Sequence, residues 1–305
     1  MLAFSTSWRS IESITAEEML AALKNLDISK IELSYRISEG FYREMHNPLK
    51  HSGLKVVSIH NFFPIPPVKK DSKGGGDFFL LSSQDDEERQ RAIRYTIKTI
   101  EHAAELNAAA VVLHCGFVEM NHEMQVLYQY VDSNRLDSKE AQIFIRNKLR
   151  ERDRRKPKHM DCLLTSLDRL VAVAEKQGVL LGMENRYHYH ELPGLDDFKV
   201  IFAQFNGAPI GYWHDTGHAH ANETLGIIPK DSLLQNNSDR LIGVHLHDGV
   251  GLDDHIPPGS GEIDFAALKP FLNADTIKVI ELKPGIAASE VSEGIKFIRE
   301  KLSEA

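Results

Sequence analysis

Between His214 and His220 the chain reads His214-Asp215-Thr216-Gly217-His218-Ala219-His220, three histidines and an aspartate directly after the apolar run Ile210-Gly211-Tyr212-Trp213. Imidazole and carboxylate without thiolate are the ligand types that Zn, Mn, Co, Fe or Mg accepts, as opposed to a cysteine-built structural zinc site. Further on, Val244-His245-Leu246-His247-Asp248 repeats the pattern of an apolar strand ending in ligand-type side chains. Two such strands lying side by side can share one ion.

The same pattern recurs along the chain. His60 ends Lys55–His60, His114 ends Ala108–His114, Glu184 ends Val179–Glu184 and Glu281 ends Ile277–Glu281. A lone histidine at a strand end is ordinarily a hydrogen-bonded neighbour, and a lone glutamate a helix cap. Six such residues at six consecutive strand ends, with Asp215 and His245 between the others, point to one shared site. Asp215 and His218 are three apart, so both can reach inward from one turn, whereas His214 and His220 read as packing or supporting residues. Asp253 and His255 flank Asp254 in a loop leading to Pro257-Pro258-Gly259-Ser260-Gly261-Glu262-Ile263-Asp264-Phe265, whose glycines suit close approach of backbone to a ligand.

The elements that must position these residues alternate. Leu2–Ser5 is a strand, Thr15 opens a helix with a capping box, and Lys30–Ser34 and Lys55–His60 are strands. Asp85–Leu106 is a helix with acidic residues in its first turn. Helices are also expected over 162–177, stopped by Gly178, and over 196–205, 265–271 and 289–302, with a strand before each of the last three and another at 239–245. Eight strands of continuous Val, Ile and Leu, each followed by helix or loop, fit an α/β fold of (β/α)8 TIM barrel type, a single domain over 1–305. A doubly wound sheet would put the ligand-type residues at only one or two strand ends. Two segments exceed the simple alternation: a Pro- and Gly-rich loop at 61–83 and an insertion at 116–160. The second ends in a run, 146–158, with eight Lys or Arg against Glu151 and Asp153, read first as a solvated helix face and second as a phosphate-attracting or partner surface.

A net charge of −8 and a pI near 6.0 disfavour a polyanion such as nucleic acid as the main partner. Cys115 and Cys162 make neither a disulfide framework nor a zinc site, and Cys115 reads as a buried thiol. No signal-peptide pattern and no run of 18 apolar residues is present, so the expectation is a cytoplasmic protein without membrane contact, with room for a homo-oligomer.

Met183-Glu184-Asn185-Arg186, His214-Asp215-Thr216-Gly217-His218-Ala219, Val244-His245-Leu246-His247-Asp248, the 257–265 loop and Ile280-Glu281-Leu282-Lys283-Pro284 together resemble the xylose isomerase-like TIM barrel superfamily. It includes sugar and sugar-phosphate isomerases and epimerases and the endonuclease IV family of abasic-site endonucleases. The resemblance to the ketose epimerase branch implies one divalent ion on Glu184, Asp215, His245 and Glu281, with Glu184 and Glu281 as acid and base. Arg186, His188, His218 and His255 would then contact a small carbohydrate-like substrate. Strands five and eight are three apart in the ring, which suits two carboxylates working on a metal-stabilised enediolate from different sides. The resemblance to the endonuclease branch implies three zinc ions on nine residues: His60, His114, Glu184, Asp215, His218, His245, Asp253, His255 and Glu281, all of the expected types. The acidic charge and the segment 185–193, which departs from that branch, weigh against DNA. The expected function is therefore a divalent-metal-dependent isomerase or epimerase of a small sugar, sugar phosphate or polyol, holding one to three ions. A multi-zinc phosphoesterase is the alternative, and a lyase using the same enolate chemistry stands behind both.

Overall fold

Runs such as Ala110-Val111-Val112-Leu113 are buried at every position, because a parallel strand inside a ring of helices meets side chains on both faces. The computed structural model describes residues 2–10, 14–67 and 76–302. Its strands are β1 (Leu2–Ser5), β2 (Lys30–Leu33), β3 (Lys55–His60), β4 (Ala110–Leu113), β5 (Leu180–Glu184), β6 (Ile210–Asp215) and β7 (Leu241–Leu246), then a short hairpin of β8 (Asp248–Val250) and β9 (Asp253–Ile256), and finally β10 (Ile277–Ile280). All but the hairpin close into one parallel barrel, β10 pairing with both β7 and β1. The expected (β/α)8 architecture is the observed one. His114 and Glu281 fall one residue past the ends of β4 and β10. Residues 68–75 of the long loop lie outside the described residues.

The helices in order are α1 (Ala16–Lys24), α2 (Glu39–Ser52), α3 (Asp86–Glu105), α4 (Met124–Asp132), α5 (Lys139–Gln177), α6 (Asp197–Gln204), α7 (Thr216–Thr224), α8 (Ser232–Asn237) and α9 (Ala288–Leu302). Thr15 and Glu18 form the expected capping box of α1, and Gly178 ends α5 in the left-handed conformation. Helix α2 and the hairpin were not expected from the sequence.

A floor of packed side chains lies beneath the strand ends. Trp213 points into the barrel and is fully buried. Gly182 and Gly243, on the strands either side, make the room: a Cβ on either would sit 2.8 or 2.4 Å from the indole. The indole edge meets the His245 ring at 5.2 Å, so this floor fixes how deep that imidazole can sit.

The insertion is not separate from the barrel. Its second half and the expected helix at 162–177 are one helix, α5, of 39 residues. The basic run divides by face. Arg152 is buried and donates to Asp197 at 2.6 Å and to the Glu191 carbonyl at 3.0 Å. Lys156 reaches Asp197 at 2.8 Å, and Lys148 the Asn121 carbonyl at 2.6 Å. Arg146, Arg150, Arg154 and Lys158 are exposed. A second apolar cluster of Met124, Leu127, Ile145, Tyr189 and Leu225 seats α4 and the start of α5 over the β5 and β6 ends.

Burial alone would raise the Asp197 carboxyl, but Arg152 and Lys156 override it and hold it below the usual carboxylate range. Asp197→Asn leaves the buried Arg152 without its anion and should cost about 3–5 kcal/mol of stability. Because the folded-state pKa is the depressed one, the gap between wild type and variant should be fully present above the unfolded carboxylate pKa of about 4. It should shrink as pH falls through the lower folded value, as urea melts across pH 2 to 7 would show.

Candidate metal centre

Glu184 and Asp215 end β5 and β6, His245 lies in β7, and Glu281 follows β10; one ligand atom from each lies within 4.8 Å of the others. The Nδ1 of His245 is 2.6 Å from Glu184 Oε1, 3.1 Å from Glu281 Oε2 and 3.7 Å from Asp215 Oδ2. All four residues are buried. Two triads flank this quartet. His60 and His114 share Glu184 with it, while His218, Asp254 and His255 stand on the hairpin side. The expected strand-end residues thus converge on one rim.

The outer nitrogen of several rings is already bonded. His245 places Nε2 3.1 and 3.2 Å from the two oxygens of Glu32. His60 donates from Nδ1 to the Asn61 carbonyl at 2.9 Å, and His218 from Nδ1 to the Asn185 carbonyl at 3.0 Å. In the neutral ring that leaves a lone pair on the inner nitrogen. Each inner nitrogen faces a carboxylate: His245 Nδ1 faces Glu184, His60 Nε2 faces Glu184 at 3.5 Å, and His218 Nε2 faces Asp254 at 3.8 Å. Acceptor against acceptor is repulsive unless a proton or a cation lies between. The donor set of buried imidazole and carboxylate therefore fits a divalent ion. Burial disfavours protonated His245, but Glu281, Glu32 and Glu184 push its pKa well above the ordinary value. A proton there is drawn by the same field that would draw a metal.

His247 is a supporting residue even though it lies close to Asp215 and His255. Its Nδ1 accepts the backbone N–H of His255 at 2.9 Å, so Nε2 carries the proton and donates to Asp215 Oδ2 at 3.0 Å. It orients Asp215 and has no lone pair left for an ion. His214 is buried, contacts the Tyr212 hydroxyl at 2.6 Å, and is held neutral by burial at a pKa of about 4. Cys115 is also buried, which pushes its thiol up to about 12.

Asp253, expected among the ligands, is not brought to the site. Its side chain is 67% exposed and binds Lys283 at 2.9 Å. Asp254 takes the inward place, 3.1 Å from His255 Nδ1. In a regular strand Asp253 and His255 would share a face, but His255 has φ of +55°, which breaks the alternation and turns Asp254 and His255 together. Burial would raise Asp254 and lower His255; their mutual contact instead holds Asp254 at about 2 and His255 at about 9.

Above the quartet is a cavity of about 400 Å³ bounded by Tyr35, Asp77, Arg186, Tyr187, His188 and Glu191 among others. Arg186 binds Asp77 and Glu191 at 2.9 Å each and approaches Glu184 at 3.6 Å. Its Nε and Nη1 have no protein acceptor. His188 sits 3.3 Å from Glu191 and 3.2 Å from the Tyr128 hydroxyl. Sequence reasoning missed Glu32, Asp77, Glu191 and Asp254, and named His247 within the Val244–Asp248 run without giving it a role. Of the four, Glu32 carried a usable signal, an acid inside an apolar strand.

Residues 20–301 match the family described as the xylose isomerase-like TIM barrel. The chain belongs to that family. It is 26% identical over 216 residues to an uncharacterized protein of Methanocaldococcus jannaschii, MJ1311, covering 67% of this chain and 62% of that one. It is 29% identical over 107 residues to the uncharacterized protein y4fM of Sinorhizobium fredii, covering 35% and 33%. The matches thus span less than two thirds of either relative. Among solved structures it superposes on a putative xylose isomerase from Rhodospirillum rubrum with a TM-score of 0.71 at 14% identity over 98% of each chain. The 3-keto-D-glucoside 4-epimerase YcjR from E. coli gives 0.67 at 16% identity, also over 98% of each. At these identities the likeness shows the fold.

The two neighbouring aspartates separate cleanly. Asp254→Ala should weaken zinc binding at the His218–His255 triad by about 10-fold or more, the scale of changes around a metal site. Asp253→Ala should leave zinc affinity within about twofold. Zinc titration of the stripped protein against a competing chelator measures both.

Proposed function

We propose that this family member is a divalent-metal-dependent isomerase or epimerase acting on a small sugar, sugar phosphate or polyol. The observation that carries this reading is the pair of buried carboxylates, Glu184 and Glu281, on either side of His245 beneath a polar cavity. A divalent ion held by Glu184, Asp215, His245 and Glu281 would polarise a substrate carbonyl and acidify the adjacent C–H. Burial would raise both glutamates, yet His245 chiefly holds each below the ordinary range. Both are therefore ionised at neutral pH, so either can take a proton from carbon, and a carboxyl that has gained one can give it back. One glutamate would take the proton on one face while the other, once it has itself gained a proton from water, returns one on the opposite face, which inverts a carbinol centre; return of the first proton to the neighbouring carbon isomerises the sugar. Arg186 and His188 line the cavity and would supply donors for hydroxyl oxygens, and Tyr35 and Tyr187 add aromatic surface to its wall. The solved epimerases of keto-sugars that share the fold support the same reading.

A second reading, a multi-metal phosphoester hydrolase, is favoured by the two flanking triads, one of which shares Glu184 with the quartet. Adjacent ions would activate water and hold both oxygens of a displacement.

Metal-loaded protein incubated with ketoses in D₂O should place deuterium on the carbon next to the carbonyl. Glu184→Gln and Glu281→Gln should each slow that exchange by about 10²–10⁴-fold. No exchange with any ketose, together with two or three ions per chain by elemental analysis and cleavage of phosphodiesters, would replace this reading with the second.

A further inference from the structure

The proposed chemistry has no use for Glu32, yet the barrel buries it completely. It projects from β2 beside Ser58 of β3, with which it is in register, and accepts that hydroxyl at 2.7 Å. Its two oxygens are 3.1 and 3.2 Å from His245 Nε2. Burying a carboxylate costs several kcal/mol, and backbone carbonyls hold His60 and His218 without that cost. The walls around His245 cannot replace it. The Trp213 edge and the parallel His60 ring, 5.8 Å away, fix the plane of the imidazole. They do not fix its flip or its tautomer, since the flipped ring has nearly the same shape. Glu184 and Glu281 would hold a proton on Nδ1 just as Glu32 would hold one on Nε2, so the acceptor at Nε2 is what favours the state with Nδ1 free.

We propose that Glu32 is the positioning residue of the metal centre: by accepting the Nε2–H of His245 it selects the tautomer and flip that leave Nδ1 free for the ion, and its charge makes that nitrogen a stronger donor. The inference rests on the reading of Glu184, Asp215, His245 and Glu281 as a divalent-metal site. Ser58 in turn holds Glu32 in place, so a barrel-interior serine and glutamate serve the rim above them.

Zinc titration of the stripped protein, with ¹⁵N spectra of histidine-labelled samples, tests this in wild type, Glu32→Gln, Glu32→Leu and Ser58→Ala. In zinc-loaded wild type the His245 proton should reside on Nε2. Glu32→Gln keeps an acceptor but loses the charge and should weaken zinc about 10-fold; Glu32→Leu removes both and should weaken it about 100-fold and mix the tautomers. Ser58→Ala keeps the carboxylate and loses its anchor, so it should lie between wild type and Glu32→Gln, and it remains informative if Glu32→Leu fails to fold. Zinc affinities of Glu32→Gln and Ser58→Ala both within about twofold of wild type, or a wild-type His245 protonated on Nδ1, would overturn the proposal. A wild type that binds no zinc or cobalt would overturn the metal reading as well, which separates the two failures.

Discussion

Lone pairs aimed at carboxylates are what the rest of this structure has to accommodate. Glu184, Asp215 and Glu281 are buried with oxygens no more than 4.8 Å apart, and two such charges repel by about 3 kcal/mol even at an effective dielectric near 20. The imidazoles between them do not relieve this when neutral, because their outer nitrogens already donate elsewhere. A proton on His245 relieves it in part, and a divalent cation relieves it for every pair at once. The strands that carry these groups would spread apart if they were free to do so. A closed barrel is not free: β5, β6, β7 and β10 are hydrogen-bonded in sequence, and moving one end means breaking a ladder.

The loops are tied with similar directness. Asp248, at the start of the hairpin, accepts backbone N–H groups from Gly249, Gly259, Gly261 and Ile263 at 2.8 to 3.0 Å. One carboxylate thereby folds the 257–263 segment back over the hairpin that presents Asp254 and His255. On the opposite side a chain of contacts runs from α5 to the cavity. Arg152 holds the Glu191 carbonyl, the Glu191 side chain holds Arg186, and Arg186 holds Asp77 from the long loop after β3. The insertion at 116–160 therefore braces Arg186 in the cavity wall, and its basic run is half clamp and half solvated surface.

The barrel and the rim were legible because each rests on a local pattern. Apolar runs mark strands, and a polar residue at the C-terminal end of each one is informative once the strands are known to be parallel and closed. Helix α2 escaped despite Ser38 at its cap and buried Tyr42, Met45 and Leu49 at helical spacing, since Pro48 sits inside it and its surface is strongly polar. The supporting shell escaped for a different reason. Glu32 lies 213 residues from His245, and Asp77 lies 109 from Arg186, so no local spacing couples them. The exchange of Asp253 for Asp254 turns on the φ of His255, a backbone angle that a D-x-H spacing cannot report.

Glu184 also sets a limit on what the site can do. Its Oε1 is 2.6 Å from His245, and its Oε2 is 2.8 Å from His114 Nε2 and 3.5 Å from His60 Nε2. Were one ion held by the quartet alone, Oε2 would keep a lone pair and could act as the base that the proposed function requires. If His60, His114 and Glu184 were also to hold an ion, both oxygens would be taken up as ligands and Glu184 would be a poor base at neutral pH. The base needed for proton transfer and the bridge needed for multi-metal hydrolysis are thus competing uses of the same oxygen. Arg186 bears on that competition. Its Nη1, 3.6 Å from Oε2 and without another acceptor, places positive charge beside the flanking triad and disfavours a second cation there. Asp77 and Glu191 draw that charge away through Nη2. The number of ions the site could hold would therefore depend on the Asp77–Arg186–Glu191 contact as well as on the candidate ligands, and that contact is made by the loop after β3 and by the segment the insertion braces.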